Sequence, residues 1–314
     1  SDSQRVFIVG YGKSGTTWLH MIFFNHPNVA VVAERRLIEH PDGNVGLLDL
    51  LLDEKKFQSW FASSSFGISY PGQAGVRYEL SRLISDYLMF RAVSMRSTAK
   101  GFDRAAAITH FSEKIALNTK DDAVRTIGSL KEIYPDALVI HIVRDPRDVA
   151  VSAMHHSYRN FKAKGEYNWL TNFIDSEEGE GPVKLIEKGI ASDYFEDHAK
   201  SWSTIVSAFH DIGLQEYGDN YSYVRYEDML ENPRMEIKNI FESIGLEYTD
   251  DVLEMIVKNT SFKSLSQGRT SGQQDKSSFF RKGMSGDWKN YLSDKQGLQL
   301  FGSAKRLMDI FGYR

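Results

Sequence analysis

The chain contains no cysteine, which removes disulfides, thiolate zinc sites and cysteine nucleophiles from consideration. No apolar run approaches the roughly 20 residues that a membrane-crossing helix needs, so no membrane span is expected. An excess of positive charge is also missing. Lys and Arg number 38 against 42 Asp and Glu, a formal net charge of −4. That balance argues against a generally basic surface for nucleic acid or anionic lipid, so any anion site must be a local cluster of cations. Histidine and carboxylate residues are not spaced like a metal cage. The chain enters "RVFIVG" almost at once, without the basic segment and apolar core of a secretory signal, and a cytoplasmic location is the expectation.

The 314 residues are 41% hydrophobic, 25% charged and 12% aromatic, enough to bury a sizeable core. We find no internal repeat and no clear linker, so one domain over residues 1–314 is expected. Short apolar runs at Val6–Gly10, Ala30–Val32, Asp136–Val143 and Tyr221–Arg225 read as strands. Helical patterns follow them at Thr16–Asn25, 47–61, 77–94, Asp121–Tyr134, from Pro146, and from Pro233 to a stop at Gly245. "AKGFD" is a further strand candidate. Strands alternating with helices predict an α/β three-layer sandwich with a central parallel sheet. "DSEEGEGP", starting at Asp175, and Ser264–Ser278 read as loops, the second long enough to fold over a site.

"GYGKSGTTW", Gly10–Trp18, joins the first strand to the first helix. Backbone N–H groups in such a turn, together with the helix dipole, favour an anion. Thr16 and Thr17 add hydroxyl donors and Lys13 a mobile cation. A nucleoside-triphosphate loop would carry its lysine directly after the second glycine; here it lies inside the loop. The strongest strand then ends in Arg144, where a triphosphate site would place a metal-binding acid. Asp145 and Asp148 each have an arginine neighbour. The arrangement neutralises its anion with protein cations, and a kinase or NTPase is the weaker reading.

Two further segments sharpen this. In "VRDPRDVAVS", Arg144 stands at the carboxyl end of a strand, where open α/β sheets bind ligands, and Ser152 follows two turns into the next helix. In "FFRKGMSGDWKNYL", Arg281, Lys282 and Gly283 combine a planar fork, a point charge and a glycine that permits close approach.

Together these segments resemble the PAPS-dependent sulfotransferases (PAPS is 3′-phosphoadenosine 5′-phosphosulfate). "GYGKSGTTW" is similar to the family's 5′-phosphosulfate loop and "VRDPRDVAVS" to its 3′-phosphate motif. "RKGMSGDWKN" resembles the C-terminal signature of the cytosolic branch, and "VRYEDML" another family segment. The resemblance implies that Lys13 contacts the sulfuryl group and the bridging oxygen. It implies that Ser14, Gly15, Thr16, Thr17 and Trp18 hold the 5′-phosphate, and that Arg144, Ser152, Arg281, Lys282 and Gly283 hold the 3′-phosphate. Tyr226 would line the adenine pocket. PAPS would be the co-substrate and PAP the product, with no metal required. Residues 35–80 and 155–200 would shape the acceptor pocket.

The base is less plainly written. The histidine stretch of the small-molecule enzymes is absent, and His110 in "ITHFSEK" reads as a helix-surface or core residue. "SGTTWLHMIFFNHPNVAVVAERRL" resembles the tyrosylprotein sulfotransferases, which points to Glu34. His40, His110 and His155 are reserves, Lys120 is a weaker active-site candidate, and His26 reads as a helix-end cap. The implied function is sulfuryl transfer to a hydroxyl or amine of a small-molecule or carrier-bound acceptor. The alternatives are a catalytically silent 3′,5′-bisphosphate binder and the kinase reading.

Overall fold

The computed structural model describes residues 3–33, 108–117, 120–175 and 191–314. The helices expected at 47–61 and 77–94, the strand candidate in "AKGFD" and most of the loop after Asp175 lie outside them, as do Glu34 and His40.

Five parallel strands form one sheet in the order β2-β3-β1-β4-β5. They are β1 (Gln4–Tyr11), β2 (Val29–Ala33), β3 (His110–Leu117), β4 (Leu138–Val143) and β5 (Tyr221–Arg225). Strands of a parallel sheet are covered on both faces and therefore read as nearly continuous apolar runs. β1 alternates Val6 and Ile8 towards one layer with Phe7, Val9 and Tyr11 towards the other. β4 does the same, with Ile140 and Ile142 on one side and Val139 and Val143 on the other.

Helix α1 (Thr16–Phe24) covers the first face through Leu19, Ile22 and Phe23. On the other face lie α2 (Lys120–Ile133), α3 (Pro146–Lys164) and α4 (Ser192–Ser207), with the fully buried Trp202 at the centre. Helices α5 (Pro233–Ser243) and α6 (Asp250–Asn259) complete the layer of α1, and Phe241 stacks edge-on against Phe23. These layers make the three-layer α/β sandwich.

β3 is the element that the residue pattern hides. "HFSEKIAL" carries Ser112, Glu113 and Lys114 at its middle, yet all three are buried because β1 and β2 flank the strand on both sides. His110 is therefore a strand residue. It pairs in register with Gln4 at the amino end of the sheet, and its ring hydrogen-bonds the carbonyl of Ile244 at 3.0 Å. That is the edge opposite the phosphate loop, which removes His110 from contention as a base. His26 follows the Asn25 cap of α1: its backbone N–H donates to the Phe23 carbonyl at 3.1 Å, while its Nδ1 accepts from the Asn28 N–H at 3.2 Å in the turn towards β2.

The connections after β1 and β4 leave in opposite directions across the sheet, so the crevice between their carboxyl ends is the switch point at which such folds bind ligands. Both anion motifs issue from that crevice.

Phe241→Ala removes the ring that joins α1 to α5 in this core. It should lower the unfolding free energy by about 3–5 kcal/mol, read from urea denaturation, without altering the opposite layer.

Candidate active site

The loop after β1 has two residues in the left-handed region, Lys13 at φ 71° and Gly15 at φ 103°. Gly15 is needed twice over. A side chain there would be strained, and a Cβ would come within 2.6 Å of the Tyr226 ring. Gly15 also caps α1, with no side chain capping the first turn. The initial N–H groups of the helix thus have no side-chain cap, and the positive end of the dipole lies with them. Thr16 is buried beside Gly10, and the Trp18 indole N–H donates to the Thr260 carbonyl at 2.9 Å, which anchors the start of α1.

Arg144 joins the motifs. Its Nη1 donates to the Lys13 carbonyl at 3.3 Å and its Nη2 to the Met284 carbonyl at 3.2 Å. Its guanidinium lies 4.3 Å from the centre of the Tyr226 ring. Tyr226 is thus wedged between Gly15 and Arg144 and meets Trp18 edge-on.

The acids around this motif are committed to protein groups. Asp145 caps α3 by accepting from the Arg147 N–H at 2.9 Å and pairs with the Arg147 guanidinium at 2.7 Å. Asp148 accepts from the N–H groups of Gly286 at 2.7 Å and Trp288 at 2.9 Å. It thereby ties the C-terminal signature to α3. Asp287 is buried and holds both Arg281 and Lys282. Burial alone would raise its pKa. Arg281 and the hydrogen bonds from Lys282, Arg281 and Asn290 outweigh that and bring it down to about 2.

A cleft opens here. Lys13 faces it from the loop, Ser152, His156 and Arg159 from α3, and Lys276, Phe279 and Arg281 from the C-terminal segment. Among the described residues that line it, none bears a carboxylate. The long polar loop folds over this side and is stapled by Arg269, which donates to the carbonyls of Gln273 at 3.1 Å and Arg281 at 2.9 Å. Phe279 lies 4.6 Å from Lys13 Nζ, ring face to ammonium.

Of the residues expected around the 3′-phosphate, Ser152 and Arg281 line the cleft and Arg144 stands beneath the loop. Lys282 turns to Asp287. Gly283 is at φ 62°, and the Phe262 ring fills the space of its missing Cβ, so its close approach is to that ring. His155 is buried, with its Nε2 2.7 Å from the Tyr291 hydroxyl. It also lines the cleft, and burial and the nearby Arg281 push its pKa to about 3, so it stands there as a neutral imidazole. Lys120 begins α2.

Lys114 escaped the sequence reading. From β3 its Nζ donates to Thr17 Oγ1 at 3.2 Å, a second ammonium at the start of α1. Only the β1–β3 pairing brings it there, since it is 97 residues away in the chain.

Three buried donor atoms in this constellation meet no hydrogen-bond acceptor among the described residues: Ser14 Oγ, Arg144 Nε and Arg281 Nη1. Buried donors are ordinarily satisfied, and these three come from the three motifs that the resemblance assigns to one nucleotide. The donor set fits an oxyanion-rich ligand. No cluster of three or more potential metal ligands occurs among the described residues.

A family model described as "Sulfotransferase domain" matches residues 3–312. The chain belongs to the sulfotransferase family. Over 167 residues it is 28% identical to Sulfotransferase 1A1 of Canis lupus familiaris and 29% identical to Sulfotransferase 1A1 of Bos taurus, 50% of each chain in both cases. It spans about half the length of these curated relatives. The mouse sulfotransferase SULT7A1, solved in complex with PAP, matches with a TM-score of 0.53 at 19% identity, covering 99% of this chain and 87% of that one. At that identity the likeness speaks for the sulfotransferase fold.

Asp287 gives the site a pH signature. A carboxyl held at about 2 stabilises the fold above its unfolded value of roughly 4, and the contribution is lost as pH falls towards 2. Between those limits the unfolding free energy of the wild-type sulfotransferase should fall more steeply with acid than that of Asp287→Asn, measured by denaturant titration at each pH.

Proposed function

We propose that this chain transfers the sulfuryl group of PAPS to a hydroxyl or amine of an acceptor, either a small molecule or a carrier-bound one. The observation that carries the reading is the set of unsatisfied buried donors, Ser14 Oγ, Arg144 Nε and Arg281 Nη1, one from each nucleotide motif. Ser14, Gly15, Thr16, Thr17 and Trp18 would cradle the 5′-phosphate at the amino end of α1. Arg144, Ser152, Arg281, Lys282 and Gly283 would form the 3′-phosphate side, and Tyr226 would stand beside the adenine. Lys282 would have to share its ammonium between Asp287 and the phosphate. PAP would leave as product, and no metal is needed in this scheme, because lysine and arginine supply the counter-charge.

In the reaction the acceptor oxygen or nitrogen forms a bond to sulfur as the bond from sulfur to the bridging oxygen breaks. The electron pair of that bond goes to the 5′-phosphate, where Lys13 stabilises the developing charge. The acceptor proton passes to a base, for which we propose Glu34, outside the described residues. One domain over residues 1–314 would carry all of this. Among the described residues no helix is long and apolar enough to cross a membrane, and we propose a cytoplasmic enzyme.

Thermal unfolding with PAP, AMP and Mg-ATP tests the donor. PAP at 100 times its Kd should add about 2.7 kcal/mol of stability, and AMP and Mg-ATP should add far less. A shift with Mg-ATP alone would overturn the reading in favour of a kinase. Arg144→Ala should weaken PAP by about 1.5–3 kcal/mol, the range for a charged hydrogen bond, measured by calorimetry on folded protein. Lys13→Ala should abolish turnover with PAPS while PAP binding falls only modestly.

A further inference from the structure

Lys13 is held at both ends. Its backbone is left-handed at φ 71°, and its carbonyl accepts from Arg144 Nη1 at 3.3 Å. The direction in which the side chain leaves the loop is therefore set. At the other end Nζ stands 4.6 Å from the centre of the Phe279 ring. A braced segment brings that ring there. Arg269 Nη2 donates to Ser278 Oγ at 2.8 Å and to the Phe280 carbonyl, and its Nη1 donates to the Arg281 carbonyl at 2.9 Å. One guanidinium thus pins the residues on both sides of Phe279. Ser271 Oγ donates to the Gly283 carbonyl at 2.6 Å and the Gly272 N–H to the Lys282 carbonyl at 2.8 Å, which doubles the segment back on itself. Phe280 meets Phe279 edge-on, with ring centres 5.2 Å apart. Phe279 is itself 49% exposed, so burial of its own surface explains little of where it stands.

From this arrangement, and resting on the sulfuryl-transfer reading, we infer that Phe279 is a positioning residue for Lys13. Its ring backs the ammonium and keeps it inside the cleft, where the bridging oxygen of the donor would lie. A ring suits this task. Its face attracts a cation without neutralising it, so the charge stays available for an anion, whose charge-assisted hydrogen bond is the stronger contact. A lysine side chain left in water gives up its rotamer freedom when the donor arrives, whereas one already resting on a ring has lost it beforehand. Other neighbours of the ammonium are compatible with this, because the ring covers one side of it only. Phe279 and Arg281 also belong to the same braced segment. The element that offers Arg281 to the 3′-phosphate therefore sets Lys13 at the other end of the donor.

Two measurements test this. The first reads the contact without any ligand, in a carbon–proton correlation spectrum of protein carrying isotope-labelled lysine. The Lys13 ε-CH2 signal is identified by its loss in Lys13→Arg. The ring current of Phe279 should shift it upfield, and the shift should vanish in Phe279→Leu and persist in Phe279→Tyr. The second is calorimetry with PAPS and with PAP, in the absence of acceptor. Phe279→Leu should bind PAPS about fivefold more weakly, the size of one cation–π contact, while PAP affinity stays within about twofold of the wild type. Phe279→Tyr, which keeps the ring, should bind PAPS as the wild type does. In a Lys13→Ala background, Phe279→Leu should cost PAPS nothing further. An unshifted Lys13 signal overturns the inference. Equal losses of PAPS and PAP in Phe279→Leu also overturn it, because the ring would then serve the nucleotide as a whole, and so does a loss that persists without Lys13. Failure of the wild type to bind PAP or PAPS is a different result: it removes the donor reading, while the unliganded spectrum still reports on the ring.

Discussion

The guanidinium of Arg144 is the contact on which the site depends. It sits at the end of β4, reaches the backbone of the β1 loop at Lys13, and reaches the backbone of the C-terminal signature at Met284. These segments are 131 and 140 residues from it in the chain. A lysine could not replace it, because the bridge needs a planar fork with donors pointing in separate directions. Two of its nitrogens build the site, while Nε is buried without an acceptor among the described residues. The same cation thus serves architecture and, in the proposed function, ligand binding.

Around it the carboxylates set the positions of the other cations. Asp148 holds the backbone of Gly286 and Trp288, Asp287 gathers Arg281 and Lys282, and Glu227 accepts from the Asp145 N–H at 3.1 Å. Buried charge is tolerated only when paired or hydrogen-bonded, so each acid here is spent inside the protein. Among the described residues, the lining of the cleft carries four cations and no acid. That asymmetry separates this site from a metal-dependent triphosphate site, where an acid would face the phosphates through magnesium.

Where chemistry is local, the sequence was legible. β1 and β4 are apolar runs that lead into the glycine-containing loop and into Arg144, and α1 and α3 begin where turn residues and Pro146 announce them. The parallel α/β sandwich and the phosphate loop followed from those patterns. β3 did not, because its central Ser-Glu-Lys reads as solvent-exposed while two neighbouring strands bury it. Lys114 was missed for the same reason, and His110 was judged without knowing which end of the sheet it occupies. His155 and His156 are adjacent and chemically identical on paper, and both line the cleft, yet only His155 is buried, with its Nε2 against the Tyr291 hydroxyl.

By itself the sequence determined the kind of ligand. A left-handed glycine before a helix, hydroxyl donors in its first turn and a lysine within the loop make an anion cradle whatever surrounds them, because the donors lie within a few residues of one another. Tertiary structure decided which cations remain for that ligand. A charge acts according to its neighbours in space, and strand order and register choose those neighbours. They gave Lys282 to Asp287, brought Lys114 to Thr17, and set Arg159 at the cleft beside His156 and the Phe279 ring.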